Sequence, residues 1–504
     1  MTTSGIPKID RTSLPQKVNP MRTISPWRVC AMIGLFSAGA IFANLSSAGA
    51  QSAGSDEPPT ISLTLSPAAE PVPALKYRLR PPLEERTNGN AALAYYRAVV
   101  QFQPMAHGSD FATFVNEKLE PWLETPLDKL PQDEIARALD RYRSVLRELE
   151  QGSRRDECRW DLPLESDGFD ILLGEFQALR WPAHLLALRA RLEMARGDLE
   201  GALATLRVSS QLSRNLGKAR TLIPSLVGVA IAASNRTQLE TFVQQPGAPN
   251  LYWALTELPV PLVDFHSALE MEAQLPNYAF PEMADFRSRP VSREEAHRLS
   301  ERLLKRWRGI NDAGDTIEAA RARFALSAAA DYTTDKQTLI AAGRPKSEVE
   351  AMPVEQVVWL ASYYRWKVCA DELLKWSVLP VRQRSEGFAR AEKRVGRLHA
   401  EYHGFPFEFT ELLPAVGSVL TAMDRTDRGI ALLRTVEAIR LFASLHGGEL
   451  PQSLDKIDAV PIPADPMTGR PFDYRLEGGA AVVETPRVSD NSHQGRRYVI
   501  RMRK

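Results

Sequence analysis

Cysteine is scarce, with three in 504 residues, and the two signs of charge nearly cancel at a net +1. A balanced chain carries no nucleic-acid footprint and no field for an acidic substrate. The short basic clusters, "KRWR" at 305–308 and "RRYVIRMRK" at the end, read as solvated faces and tails. Motifs are missing as well. The chain has no Walker-type loop, dinucleotide fingerprint, CxxC pair, EF-hand loop or G-x-S-x-G elbow. No cofactor is expected, although unfamiliar sites can be assembled from distant residues.

Long apolar runs are lacking too. The uncharged run from Val29 to Leu45 has 17 residues, short of the ~20 that span a bilayer. It follows Arg22 and Arg28 and leads to Ala48-Gly49-Ala50, the small-x-small form that signal peptidase cuts. Residues 1–50 are read as a signal peptide cleaved after Ala50, with Met21 as an alternative start because the first 20 residues are polar. An uncleaved anchor formed by residues 29–45 stays open. Cys30 opens the run instead of following it, which speaks against a lipoprotein. The expectation is export to the periplasm or cell envelope, with membrane contact only through that segment. In an oxidising compartment the remaining Cys158 and Cys369 are candidates for a disulfide, with two buried thiols as the alternative.

The rest reads as helix after helix. Residues 51–85, rich in Ser, Pro, Ala and Glu, are expected to be a disordered linker. A helical domain over 86–280 follows, beginning at "TNGNAALAYYRAVVQF", where Asn88 or Asn90 can cap. Within it, Leu185, Leu188, Leu192 and Ala195 form one stripe. Gly197-Asp198 makes a turn, and Ala202, Leu203 and Leu206 start a second stripe. This hairpin resembles a single tetratricopeptide-type unit, and the alternative is an ordinary hairpin inside a bundle. "TLIPSLVGVAIAAS" at 221–234 is apolar all round, as a buried central helix would be. A second helical region spans 281–427, with an apolar joint at 404–423.

The C-terminal unit, 428–504, opens with a helix over roughly 427–446 whose stripe is Leu432, Val436, Ile439 and Ala443. Gly447-Gly448 stops it. "ADPMTGRPFDY" then forms a turn, and three short strands follow as an antiparallel meander able to cover the stripe. The fold class is thus mainly α, a hairpin array or bundle with a small C-terminal α+β unit.

Candidate chemistry rests on two local pairs. His266 and Glu270 in "DFHSALEME" stand at i, i+4, near Asp264 and Glu272. His399 and His403 in "LHAEYH" share a helix face with Glu401 between them. Either pair could hold a metal or do acid–base work if further ligands converged. A zincin, however, needs Glu directly after the first His. Solvated histidines on charged helices are the alternative.

Two family resemblances follow from quoted stretches. Residues 428–504, with "GELPQSL" and "DPMTGRPFDY", resemble the globular end of type II secretion major pseudopilins. The chain departs from that family in lacking its processing site and glutamate-bearing assembly helix. Where the family places calcium carboxylates, this chain has Asp490, Asn491 and Ser492. The body, in "YRLRPPLEERTNGNAALAYYRA", "CRWDLP" and "APNLYWALTELPVPLVD", resembles a group of large exported bacterial helical proteins without assigned activity. The second resemblance implies export and a helical body, while the helix-hairpin architecture and the lack of catalytic motifs point to a non-enzymatic scaffold that binds an envelope protein. An envelope hydrolase or metalloenzyme and an accessory to a secretion system remain as alternatives.

Overall fold

A computed structural model describes residues 58–106, 109–163, 174–311, 316–401, 409–412, 416–487 and 495–503. The signal segment, Ala50, Cys30, His403 and Asp490–Ser492 therefore lie outside the described residues, as do the 404–408 and 413–415 parts of the expected joint. The fold is mainly α, with a small sheet of largely C-terminal strands.

The first strand is β1 (Thr60–Leu65), inside the stretch expected to be a linker. That expectation fails because "TISLTL" alternates. Leu63 and Leu65 are buried, and the strand pairs in parallel with β6 (Arg497–Met502), Leu63 opposite Ile500. The chain from 66 to 85 is also fastened to the body. Ala68 N–H donates to the Arg440 carbonyl at 3.2 Å, and Leu79 is fully buried.

Strands β2 (Thr87–Asn90) and β3 (Arg155–Glu157) form a small parallel pair. Asn90 caps α1 (Ala91–Phe102), accepting from Ala92 N–H. The helix α2 (Gln132–Arg141) joins the same core, and α3 (Arg143–Ser153) packs directly against α1. Three longer helices come next: α4 (Arg180–Ala195), α5 (Leu199–Gly217) and α6 (Leu222–Phe242). Gly197 takes the left-handed turn at φ +76°, and Asp198 caps α5 through Gly201 N–H. Helices α5 and α6 approach so closely that a Cβ on Gly228 would lie 2.6 Å from the Ser213 carbonyl oxygen. As the sequence indicated, α6 is buried in the middle of the helices.

The short helix α7 (His266–Glu272) leads to α8 (Arg293–Asn311), α9 (Ile317–Ala341), α10 (Val354–Leu374) and α11 (Val381–Glu401). Aromatic rings fill the core among them, with Phe280 stacked on Trp307 at 5.3 Å and Phe409 against both.

The last helix, α12 (Val416–Leu445), starts about eleven residues earlier than expected. The residues from 416 to 423, expected to belong to the apolar joint, are helical instead, and the helix runs on through "MDRTDR", where Asp424 and Arg428 are buried with partners. Gly447 and Gly448 end it at φ +62° and +95°. Strands β4 (Asp473–Glu477) and β5 (Ala480–Glu484) complete a sheet of order β1-β6-β5-β4. The expected antiparallel meander is present, with β1 added in parallel at its far edge. Its inner face (Leu63, Leu65, Ala481, Val483, Tyr498, Ile500) meets Leu432, Val436 and Ile439 in one core that also takes in α6.

Cys158 and Cys369 do not form a disulfide; both thiols are buried. Cys158 belongs to the core around α1, and Cys369 lies on α10. Burial pushes the Cys158 thiol up to about 12, which makes it a poor nucleophile.

Candidate functional site

The described part of the predicted chemistry centres on His266, the first residue of α7. Asp264 stands two residues earlier, and its Oδ1 accepts from His266 backbone N–H at 2.9 Å and meets the ring Nδ1 at 2.5 Å. A short acidic side chain just before a helix bonds locally in this way, and here it defeats the i, i+4 geometry. Glu270 is exposed on the next turn; the carboxylate at the ring is that of Asp264, not Glu270. On its other side the ring Nε2 lies 2.9 Å from the Ser377 carbonyl oxygen, in the bend between α10 and α11.

The ring's chemical state follows from its partners. A carbonyl only accepts, so Nε2 must donate; a carboxylate only accepts, so Nδ1 must donate. With both contacts made as hydrogen bonds the ring is the imidazolium, the form that its surroundings favour. Its hydrogen bond to Asp264 raises the His266 pKa above the ordinary 6.5, with the Ser377 carbonyl helping and burial opposing. The same bond lowers Asp264 below its ordinary value. A doubly donating ring has no lone pair left for a metal or for taking a proton.

Behind this dyad lies α12. Asp427 Oδ1 accepts from Leu262 N–H at 2.8 Å, and Asp424 is paired with Arg384 of α11 through both carboxylate oxygens. Burial raises Asp427 to about 7, and the neighbouring Asp424 and Asp264 charges push the same way. Asp424 is raised by burial in spite of Arg384. The cluster gathers the carboxylates of Asp264, Asp424 and Asp427 about Arg384 and the His266 ring, whose pKa is raised, and Asp427 is pushed up to about 7. Chemically it can hold and release a proton at Asp427.

His399 is in α11, and the second member of its pair, His403, is outside the described residues. Among the described residues, no group of three or more His, Cys, Asp or Glu is placed to hold a metal ion. Sequence reasoning missed Asp427, Asp424 and Arg384. Their spacing in "MDRTDR" is compatible with a helix face but gives no hint of Leu262 or Arg384 as partners. In comparisons with known proteins, no family model, no curated protein and no solved structure matches the chain. Among the described residues no helix is long and apolar enough to cross a membrane.

Proposed function

We propose that the protein is exported to the cell envelope and acts there as a helical scaffold that binds a protein partner, without catalysing a reaction. The reading is supported chiefly by His266, whose two ring nitrogens are both engaged by acceptors, so the best candidate for chemistry that the sequence offers serves to tie its own segment to the bend at Ser377. The hairpin α4–α5, which resembles a single tetratricopeptide-type unit, adds a helix pair of the kind on which protein partners dock. Export rests on the Arg22 to Ala50 segment.

The test is fractionation followed by crosslinking in intact cells. Expected are recovery in the envelope fraction, a mature N-terminus at Gln51, and a reproducible crosslink to one envelope protein. Recovery in the cytoplasm with Met1 or Met21 intact contradicts the export half, and absence of any envelope crosslink contradicts the binding half.

A second reading, an envelope hydrolase, draws on the proton that Asp427 holds near neutral pH beside the His266 cation. It requires a pH–rate profile with a limb near 7 that Asp427→Asn removes.

A further inference from the structure

A second charged locus lies about α5, away from His266. Arg207, Arg214 and Lys218 stand at i, i+7 and i+11 on that helix and its cap, one stripe by helical spacing. Opposite them runs the stretch 78–86. Arg207 holds it in place: Nε donates to the Arg78 carbonyl at 3.1 Å, and Nη1 donates to both oxygens of Glu85 at 3.1 and 3.0 Å. Glu257 holds it from the other side, accepting from Arg78 at 2.7 Å on its carboxylate and from Arg80 at 3.3 Å on its carbonyl.

These anchors leave the cations in excess. Glu85 is matched by Arg207 and Glu257 by Arg78. Arg80, Arg86, Arg214 and Lys218 remain, and none of the four pairs with a carboxylate among the described residues. Arg214 is half-buried, its guanidinium donating to the Gln211 amide oxygen at 2.8 Å, with Arg80 and Arg86 as close like-charged neighbours. Burial and those neighbours bring it down to about 10, with Tyr95 and the more distant Glu257 carboxylate opposing them. Lys218 is lowered as well, by burial first and then by Arg214 and Arg80. Like charges gathered at a partly desolvated surface are unfavourable unless an anion joins them.

The base of the locus is rigid. Gln211 donates to the Asn215 side chain, Asn215 donates to the Tyr95 hydroxyl, and Trp160 Nε1 donates to the Asn215 carbonyl at 2.7 Å. The two stretches "YRLRPPLEER" and "CRWDLP" thus converge on one face of α5. Two or more guanidinium forks with an ammonium match an oxyanion that carries several charges.

We propose that the face formed by Arg80, Arg86, Arg214 and Lys218 binds a phosphate-bearing anion. Free phosphates and the headgroups of anionic lipids share that chemistry. The proposal requires neither export nor a protein partner, so its failure is distinguishable from failure of the scaffold reading.

Calorimetric titration of the purified protein with pyrophosphate at low ionic strength tests it. The expected result is saturable binding that weakens with added salt and loses about tenfold in affinity for each cation removed in Arg214→Gln and Lys218→Gln. Lys218 keeps much of its side chain in solvent although its ammonium is partly desolvated, so its variant removes a charge without opening the core. Arg390→Gln, an exposed change elsewhere on α11, should bind as the parent does. Sedimentation with phosphatidylglycerol vesicles, against phosphatidylcholine alone, separates the sources: binding to the former only marks a lipid headgroup, and pyrophosphate binding alone marks a soluble phosphate. No binding in either arm, or equal binding by parent, R214Q and K218Q, overturns the proposal.

Discussion

The surroundings of α12 and those of α10 are both buried, and they are held in different ways. Along α12 the interior is charged. Arg440 and Glu437 are fully buried against each other, and the Arg440 guanidinium donates to the carbonyls of Ser66 and Ala248 besides. Glu437 also accepts from Leu251 N–H at 2.7 Å. Arg428 makes two bonds to Asp465, which in turn accepts from Met467 N–H and the Thr468 hydroxyl. On α6, Glu240 accepts from Arg496 and from the Tyr498 hydroxyl. Each of these groups ties chain segments far apart in sequence.

Around α10 the interior is aromatic. Trp359, Trp366, Phe280, Trp307 and Phe409 are buried, with Arg365–Asp335 as a buried ion pair beside them. Other ion pairs in that region, such as Arg321–Glu301, lie nearer the surface. The contrast teaches that area holds the α10 region together, whereas satisfied charge fixes which segments meet at α12. Apolar contacts tolerate sliding; a guanidinium with three named carbonyl or carboxylate partners does not.

The largest effects break the α12 side. Glu437→Ala strands Arg440 without its counter-charge and should cost about 3–5 kcal/mol in denaturant unfolding. Phe280→Ala, a cavity in the aromatic core, should cost a similar ~3–5 kcal/mol. What separates them is rescue: Glu437→Met with Arg440→Met should recover most of the loss, because two matched apolar groups leave no charge stranded. If the double variant is no better than Glu437→Ala, the ion-pair account of α12 fails.

Gly228→Ala comes next, at about 1–3 kcal/mol, because its methyl meets a backbone carbonyl that cannot move alone. A neutral result by thermal melt would mean that α5 and α6 are free to separate.

The pH dependence gives a smaller, signed effect. Asp427 keeps its proton up to about 7 when folded and gives it up near 3.8 when unfolded. Between those values the folded state binds more protons, so stability falls as pH rises. His266 adds to the fall: its raised pKa stabilises fully below about 6.5 and the contribution disappears as pH climbs through the raised value. Asp427→Asn keeps an oxygen for Leu262 N–H and should flatten the slope of melting temperature between pH 5 and 8, leaving the His266 part. An unchanged slope would show that Asp427 is ionised throughout. At the small end, Arg321→Ala should leave the melting temperature where it was, since exposed pairs contribute little.

Much of the architecture was legible because its signals are local. The Gly197-Asp198 turn, the apolar run at 221–234, the stripe Leu432, Val436 and Ile439 and the Gly447-Gly448 stop are each written within one or two helical turns. Strand β1 was hidden because its alternation is six residues long, sits among prolines, and pairs with residues about 437 positions away. The early start of α12 was hidden because the prolines at 406 and 414 marked 404–423 as a joint, whereas the helix begins two residues after Pro414. In the candidate site, His266 was found and its partner was misassigned: a helix-spacing rule pointed to Glu270, while the carboxylate just before the helix is better placed for both the backbone and the ring. Asp427 and Arg384 depend on contacts between distant segments, which no spacing within one helix reveals.

The measurement closest to the central claim about the site, that the His266 ring is held as a charged structural link beside α12, is nitrogen NMR of that ring, assigned by difference against His266→Gln. The account predicts a ring protonated on both nitrogens at pH 6.5, titrating above that value, with shifts unmoved by added zinc. A neutral ring with one free nitrogen, titrating at or below 6.5 or shifting on zinc addition, would contradict it and return His266 to the list of groups able to do chemistry.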